Sequence, residues 1–254
     1  MRIIISPAKK MNADTDSFPS RGLPRMLERT EVLLAKLREM SYEELKALWK
    51  CNNQIAELNF QRLRAMDLRR GLTPALMAYE GIQYQYMAPG VFTQEALDYV
   101  SEHLRILSGF YGVLQPFDGV APYRLEMQAK LPVAGAKDLY SFWGDRIAKE
   151  VFAGADCVLN LASKEYSVCV TRYVPEGARV VTCVFGERKD GKVVEKGTQC
   201  KMARGEMVRF LAENQFMEPE DAKEFDRLGY RFSWEASNGD TYVFIKDTKC
   251  KNGG

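Results

Sequence analysis

Histidine is almost missing from this sequence: His103 stands alone among 254 residues. That excludes a histidine-based metal cluster and leaves almost no room for a Ser-His-Asp triad or a Cys-His pair with a spare base. A general base has to be a carboxylate, a lysine, a tyrosine or a thiolate. The six cysteines include no CxxC spacing. The start, Met1-Arg2-Ile3-Ile4-Ile5-Ser6, is too short an apolar segment for a secretory leader. Free thiols in a reducing cytoplasm are therefore expected, with no metal and no cofactor. No apolar run approaches the length of a membrane span. There is no internal repeat, low-complexity tract or Ser/Gly linker. No excess of one charge exists either: 36 Lys and Arg face 34 Asp and Glu.

What is present is enough apolar residue, 46%, for a sizeable core. The first third reads as helical. Pro24 opens a helix to about Met40, with Met26, Leu27, Leu33, Leu34 and Leu37 on one face. Ser41 with Glu44 forms a capping box before a second helix. A third spans 52–67, with Ile55, Leu58, Leu63 and Met66 expected inward. Thr73-Pro74 starts another helical stretch, and Thr93 caps one over 94–103. Strands are expected at 2–6, 156–162, 179–187, 192–200, 230–236 and 241–246, with hairpin turns at Asp190-Gly191 and Asn238-Gly239-Asp240. Residues 138–152 read as one helix, and another runs from Met202 to Asn214. The expectation is an α+β (mixed α/β) fold: one compact domain over 1–247 with a mixed sheet and a helix-rich N-terminal third. Residues 248–254 are expected to form a disordered tail.

The near-neutral total hides segregation. Residues 1–30, 61–70 and 196–209 each carry +3, while 213–226 carries −5. Basic segments that converge would make a face for an anionic ligand. The plainer reading is solvated surface with local ion pairs, and it is favoured for 61–70.

Five segments have residues suited to chemistry. Ser6-Pro7-Ala8-Lys9-Lys10 follows a buried strand, where Lys9 would serve as phosphate contact or nucleophilic amine. Ser108-Gly109-Phe110-Tyr111-Gly112 reads either as the hairpin of a helix-hairpin-helix, its glycines letting backbone N–H groups approach a phosphate, or as a strand closed by a Gly turn. Tyr123-Arg124 and Trp143-Gly144-Asp145 suit a cleft that stacks a base and holds a phosphate, and equally a core with a buried Arg–Asp pair. Ser163, Glu165 and Tyr166 follow a strand end, where Ser163 is also an ordinary N-cap. Lys201 and Arg204 open the 202–214 helix against its dipole, which a bound anion would offset.

Taken in order, Ile5-Ser6-Pro7-Ala8-Lys9, Leu107 to Leu114, Pro122-Tyr123-Arg124-Leu125-Glu126-Met127, Leu139 to Asp145, Asn160 to Ser163 with Glu165-Tyr166, and Ala203-Arg204-Gly205 resemble the bacterial peroxide stress protein YaaA family over nearly the whole chain. The resemblance implies a cytoplasmic protein that helps cells survive hydrogen peroxide by limiting unincorporated iron and DNA damage. It further implies a single α/β body with a positively charged cleft, carried onto Lys9, Lys201 and Arg204. Double-stranded DNA binding through a helix-hairpin-helix element is carried onto Ser108, Gly109 and Gly112. Gln115 departs from the family's usual Arg there.

Three functions follow. The leading one is a monomeric, non-enzymatic or weakly enzymatic DNA-binding stress protein, using Lys9, Lys10, Ser108, Gly109, Gly112, Arg124, Lys201 and Arg204, with Ser6, Tyr123, Trp143, Ser163 and Tyr166 in the cleft. The second is an enzyme acting on nucleic-acid bases or a phosphorylated small molecule, with Lys9 as nucleophile and Asp145 or Glu165 as acid/base. The third, iron handling, is disfavoured by the shortage of His and paired Cys, so an iron effect is expected to be indirect.

Overall fold

The computed structural model describes residues 1–247. Ile3, Ile4 and Ile5 are fully buried, which requires cover on both faces of their strand. The Arg2–Ile5 strand duly lies inside a sheet, parallel to Leu104–Ser108 on one side and Cys157–Asn160 on the other. Beyond Cys157–Asn160 come Arg179–Lys189 and then Thr241–Lys246, both parallel. Antiparallel strands finish the edges: Gly112–Leu114 beside Leu104–Ser108, Tyr230–Phe232 beside Thr241–Lys246, and Lys192–Val194 folded back on Arg179–Lys189. The molecule is thus a single compact mixed α/β body with a mixed sheet. Its far end is closed by packed aromatics, where Phe185 stacks on Phe244 at 5.1 Å between ring centres.

The N-terminal helices form where local signals place them. Ser41 Oγ accepts from Glu44 N at 3.3 Å while Glu44 Oε2 accepts from Ser41 N at 2.8 Å, closing the capping box of Tyr42–Trp49. Thr93 Oγ1 likewise caps Gln94–His103. In Asn53–Ala65 the buried side is Ala56, Asn59 and Leu63, followed by Met66, whereas Ile55 and Leu58 face solvent. The basic run at 61–70 ties neighbouring segments together: Arg62 donates to Met11 O at 3.2 Å, Arg64 to Arg38 O at 2.6 Å, and Arg69 pairs with Glu31 at 2.5 Å.

Three expected elements differ. The strand expected over 230–236 ends at Phe232. The helix expected over 138–152 is split into Leu139–Trp143 and Arg146–Phe152 by Gly144, whose φ of +54° stops the first turn. The strand expected over 192–200 ends at Val194. Asp190 and Gly191 both take left-handed φ, so the hairpin forms as read, but the chain turns into a helix at Gly197 that runs to Asn214. The tail and Cys250 lie outside the described residues.

Candidate functional site

The central strand is also where the chain order changes direction. After Arg2–Ile5 the next sheet strand lies on one side and the following parallel strand on the other. Such a switch leaves a crevice at the strands' carboxyl ends, because the connections leave in opposite directions. Ser6 and Ser163 stand at the two lips. Ser163 N donates to Ser6 Oγ at 2.8 Å, and the two hydroxyl oxygens lie 3.2 Å apart.

Three further segments complete the walls. Lys10–Met11 pairs antiparallel with Tyr79–Glu80, which brings Ile82–Met87 alongside, and Tyr84 Oη donates to Ser6 O at 3.0 Å. The Gly197–Asn214 helix meets Ile82–Met87 at Gly205, where a Cβ would stand 2.0 Å from Gln83 O. That close approach turns Lys201 and Arg204 onto the cleft. Gly109 plays the same part on the opposite wall: its Cβ would stand 2.6 Å from Leu125 O, so Arg124 and Glu126 are carried by backbone packed against the hairpin. The resulting cleft has a volume of about 410 Å³.

Its lining includes five cations, Lys9, Lys10, Arg124, Lys201 and Arg204, and three carboxylates, Glu80, Glu126 and Glu165. Glu126 Oε1 is shared by Lys9 at 3.0 Å and Arg124 at 3.3 Å. Lys10 holds Glu80 at 2.6 Å, and Arg204 reaches Glu195 at 3.6 Å. Lys201 has no ion pair among the described residues and faces solvent. Burial pushes the Glu165 carboxyl upward and the Glu126 charge adds to it. The Gln128 amide, donating to Glu165 Oε1 at 3.3 Å, and Lys9 oppose the shift. Burial raises the Tyr123 phenol to about 12 and lifts that of Tyr84 well above its ordinary value, so neither ionises near neutrality. Three buried donors on this wall lack a hydrogen-bond partner: Gln83 Nε2, Arg124 Nε and Arg204 Nε. Leaving a buried donor unpaired costs about 1–3 kcal/mol, so the cleft wall is built at a cost to stability.

The structure brings together Ser6, Lys9, Lys10, Tyr123, Arg124, Ser163, Glu165, Tyr166, Lys201 and Arg204. It does not bring in the others. Asp145 sits just before the Arg146–Phe152 helix, in an exposed ion pair with Lys149 at 2.7 Å. Trp143 is fully buried behind the cleft and donates from Nε1 to Gly109 O at 3.0 Å. Ser108, Gly109 and Gly112 belong to an antiparallel β-hairpin in which Ser108 pairs with Gly112, so the helix-hairpin-helix expectation is corrected. Ser108 Oγ accepts from Phe110 N and Tyr111 N at 3.2 and 2.9 Å, and the turn is buried. A Cβ at Gly112 would meet Met26 and the Trp143 ring, so that glycine answers a packing need. Gln115 donates its backbone N–H to Asp118 and lies outside the cleft lining.

Lys201 and Arg204 are on the cleft for a different reason than expected. The helix starts at Gly197, so both lie beyond its first turn and the dipole conflict falls away. Four residues with polar side chains that sequence reasoning did not assign to a site also line the cleft: Glu80, Gln83, Tyr84 and Glu126. Glu126 lay within a segment already singled out. The other three carried one available signal, the polar-aromatic run Tyr79-Glu80-Gly81-Ile82-Gln83-Tyr84.

Among the described residues no group of three His, Cys, Asp or Glu side chains is placed to hold a metal ion, and no helix is long and apolar enough to cross a membrane. The described cysteines are free thiols, and burial raises Cys157, Cys169, Cys183 and Cys200.

A family model described as peroxide stress protein YaaA matches residues 1–236. A UPF0246 protein of Lachnoclostridium phytofermentans is 54% identical over 246 residues, covering 97% of this chain and 96% of its own. One from Pediococcus pentosaceus is 51% identical over 247 residues, covering 97% and 98%. One from Desulfitobacterium hafniense is 52% identical over 246 residues, with the same coverage.

Proposed function

Because the chain belongs to the peroxide stress protein YaaA family, with a role in the peroxide stress response, we propose that it acts there as a monomeric cytoplasmic protein that binds duplex DNA through this cleft. The observation that carries the reading is the convergence of five cations from three separate stretches of chain on one crevice. Although four of the five are paired with carboxylates, the cations outnumber the three carboxylates of the lining, and the surplus suits a polyanion. The contacts are lysine and arginine side chains, which engage phosphates whatever the bases.

The local environment of Lys9 supports a phosphate clamp over a nucleophile. Its side chain is 64% exposed and paired with Glu126, whereas an activated amine is desolvated or set among uncompensated cations. The enzyme reading also loses Asp145 and keeps only Glu165 as its acid/base. Limitation of iron damage is proposed as an indirect effect of the stress role.

The test is binding of short duplexes of unrelated sequence, followed by fluorescence anisotropy from about 50 to about 200 mM salt. Lys201→Ala and Arg204→Ala are each expected to weaken all duplexes alike and to lower the salt slope by about one. Loss confined to one sequence would show base reading at that side chain, and absence of duplex binding by the parent protein would end the proposal.

A further inference from the structure

We propose that the cleft receives a single nucleotide swung out of the duplex, its phosphates held by the rim lysines and its base turned inward toward Gln83. The inference rests on the duplex-binding reading and specifies what enters the site.

Size comes first. About 410 Å³ lies within the range of small-molecule pockets, about 300–1,000 Å³. A B-DNA major groove alone is about 12 Å wide, so a whole duplex stays outside such a cleft. One nucleotide fits.

Charge is graded from outside to inside. Lys9 and Lys10 are 64% and 70% exposed, while Arg124 and Arg204 are only 10% and 15% exposed. A backbone running across the mouth meets the lysines first. The carboxylates near them, Glu126 and Glu80, are already held by Lys9 and Lys10. That leaves Lys201 open to a phosphate.

The interior is made for a flat, polar-edged ring. Tyr84 and Tyr123 line it with hydroxyls already engaged, one on Ser6 O and the other on Tyr79 and Ser108, so what they offer a ligand is ring surface. Extruded bases are held by such surfaces and read by hydrogen bonds along their pairing edge. Gln83 supplies the reader. It is nine-tenths buried, it lines the cleft, and its Nε2 donor has no partner. An unpaired amide donor calls for an acceptor: thymine presents two carbonyl oxygens along its pairing edge, whereas adenine presents a single ring nitrogen beside its own amino donor. The half-buried Glu165 carboxyl lies on the same lining. No covalent step is involved.

The experiment uses the full chain and a duplex with an unpaired thymine beside a 2-aminopurine reporter, with a separate dye at the duplex end. End-dye anisotropy records binding, and 2-aminopurine fluorescence records loss of stacking by its neighbour. Binding is expected to raise the 2-aminopurine signal several-fold, and clearly less when the unpaired base is adenine. Gln83→Met, which keeps the shape and removes the amide, is expected to abolish that thymine preference. Should this variant fail to fold, the parent protein decides: free thymidine monophosphate is expected to suppress the 2-aminopurine signal more effectively than adenosine monophosphate. Anisotropy showing binding while the 2-aminopurine signal stays flat would overturn extrusion and leave duplex binding standing. Flat anisotropy would overturn both.

Discussion

Gly205→Ala tests how the cleft is assembled. A Cβ at this position would sit 2.0 Å from Gln83 O and 3.0 Å from both Gln83 C and Met87 N. All three are backbone atoms of the facing helix, so no side chain can move aside to make room. The helices must separate by about 1 Å to restore ordinary contact, and overpacking of this kind costs about 1–3 kcal/mol or more. Alanine also favours a helix interior over glycine by about 1 kcal/mol. With the clash at the top of its range, the net loss is about 2 kcal/mol or more, and about 2–4 °C per kcal/mol for a chain of this size gives a melting temperature lower by about 4–8 °C. The same displacement carries Lys201 and Arg204 away from the crevice, so duplex affinity falls in the protein that remains folded. Circular dichroism melts measure the first effect and anisotropy the second. Gly197→Ala is the control, since it lies in the same helix and its Cβ would meet nothing within 4 Å. If Gly205→Ala melts at or above the parent temperature, the close approach of the two helices is not what positions the cations.

Two further outcomes are expected. Burial raises Asp118 to about 6, with the Glu150 charge adding to it and the Gln115 amide, Arg105 and Arg25 opposing. The folded state therefore keeps this proton to higher pH than the unfolded chain, and stability falls as pH rises from about 4 towards 6, by a total on the order of 3 kcal/mol. Asp118→Asn keeps an acceptor for Gln115 N–H, so its melting temperature should exceed the parent's at neutral pH, with the gap closing as pH falls towards about 4. A gap independent of pH would refute this account. The buried thiols should resist peroxide, because Cys169 is raised to about 12 and Cys200 to about 11, and only a thiolate attacks peroxide. Alkylation after denaturation and mass analysis should find Cys169, Cys183 and Cys200 reduced after brief peroxide exposure. Rapid sulfenate formation at any of them would contradict the burial argument.

The features legible in the sequence were those fixed by neighbours in the chain. Ser41 and Glu44 cap a helix because they are three residues apart, and Asp190-Gly191 turns because both residues take left-handed φ. Ile3-Ile4-Ile5 reads as a buried strand because an unbroken β-branched run has no wet face. The glycines were harder. Gly109 and Gly205 look like permissive loop or helix positions, but their use is to admit backbone from 16 or more residues away, which local pattern does not encode. Lys201 and Arg204 were picked for a dipole conflict that the true helix start removes, and they reach the cleft through Gly205 instead. Asp145 and Trp143 share a motif with cleft residues in sequence, but Gly144 breaks the helix there and directs one to solvent and the other to the core. Gln83 was missed because a lone glutamine on a short helix is unremarkable until its donor is found unpaired.

The position of the first strand bears on how the chain is made. Arg2–Ile5 leaves the ribosome long before its register partners, Leu104 on one side and Leu159 on the other. Its three isoleucines therefore wait with both edges open until Leu104–Ser108 is made and with one edge open until Cys157–Asn160 follows, a state prone to association with other chains or capture by a chaperone. Closing loops of that length before any pairing is gained also slows folding. The crevice is assembled later still, because its last wall lies on Gly197–Asn214. Premature termination before residue 157 removes one partner of the central strand outright. Such products should be cleared or aggregate, with no partly active fragment surviving.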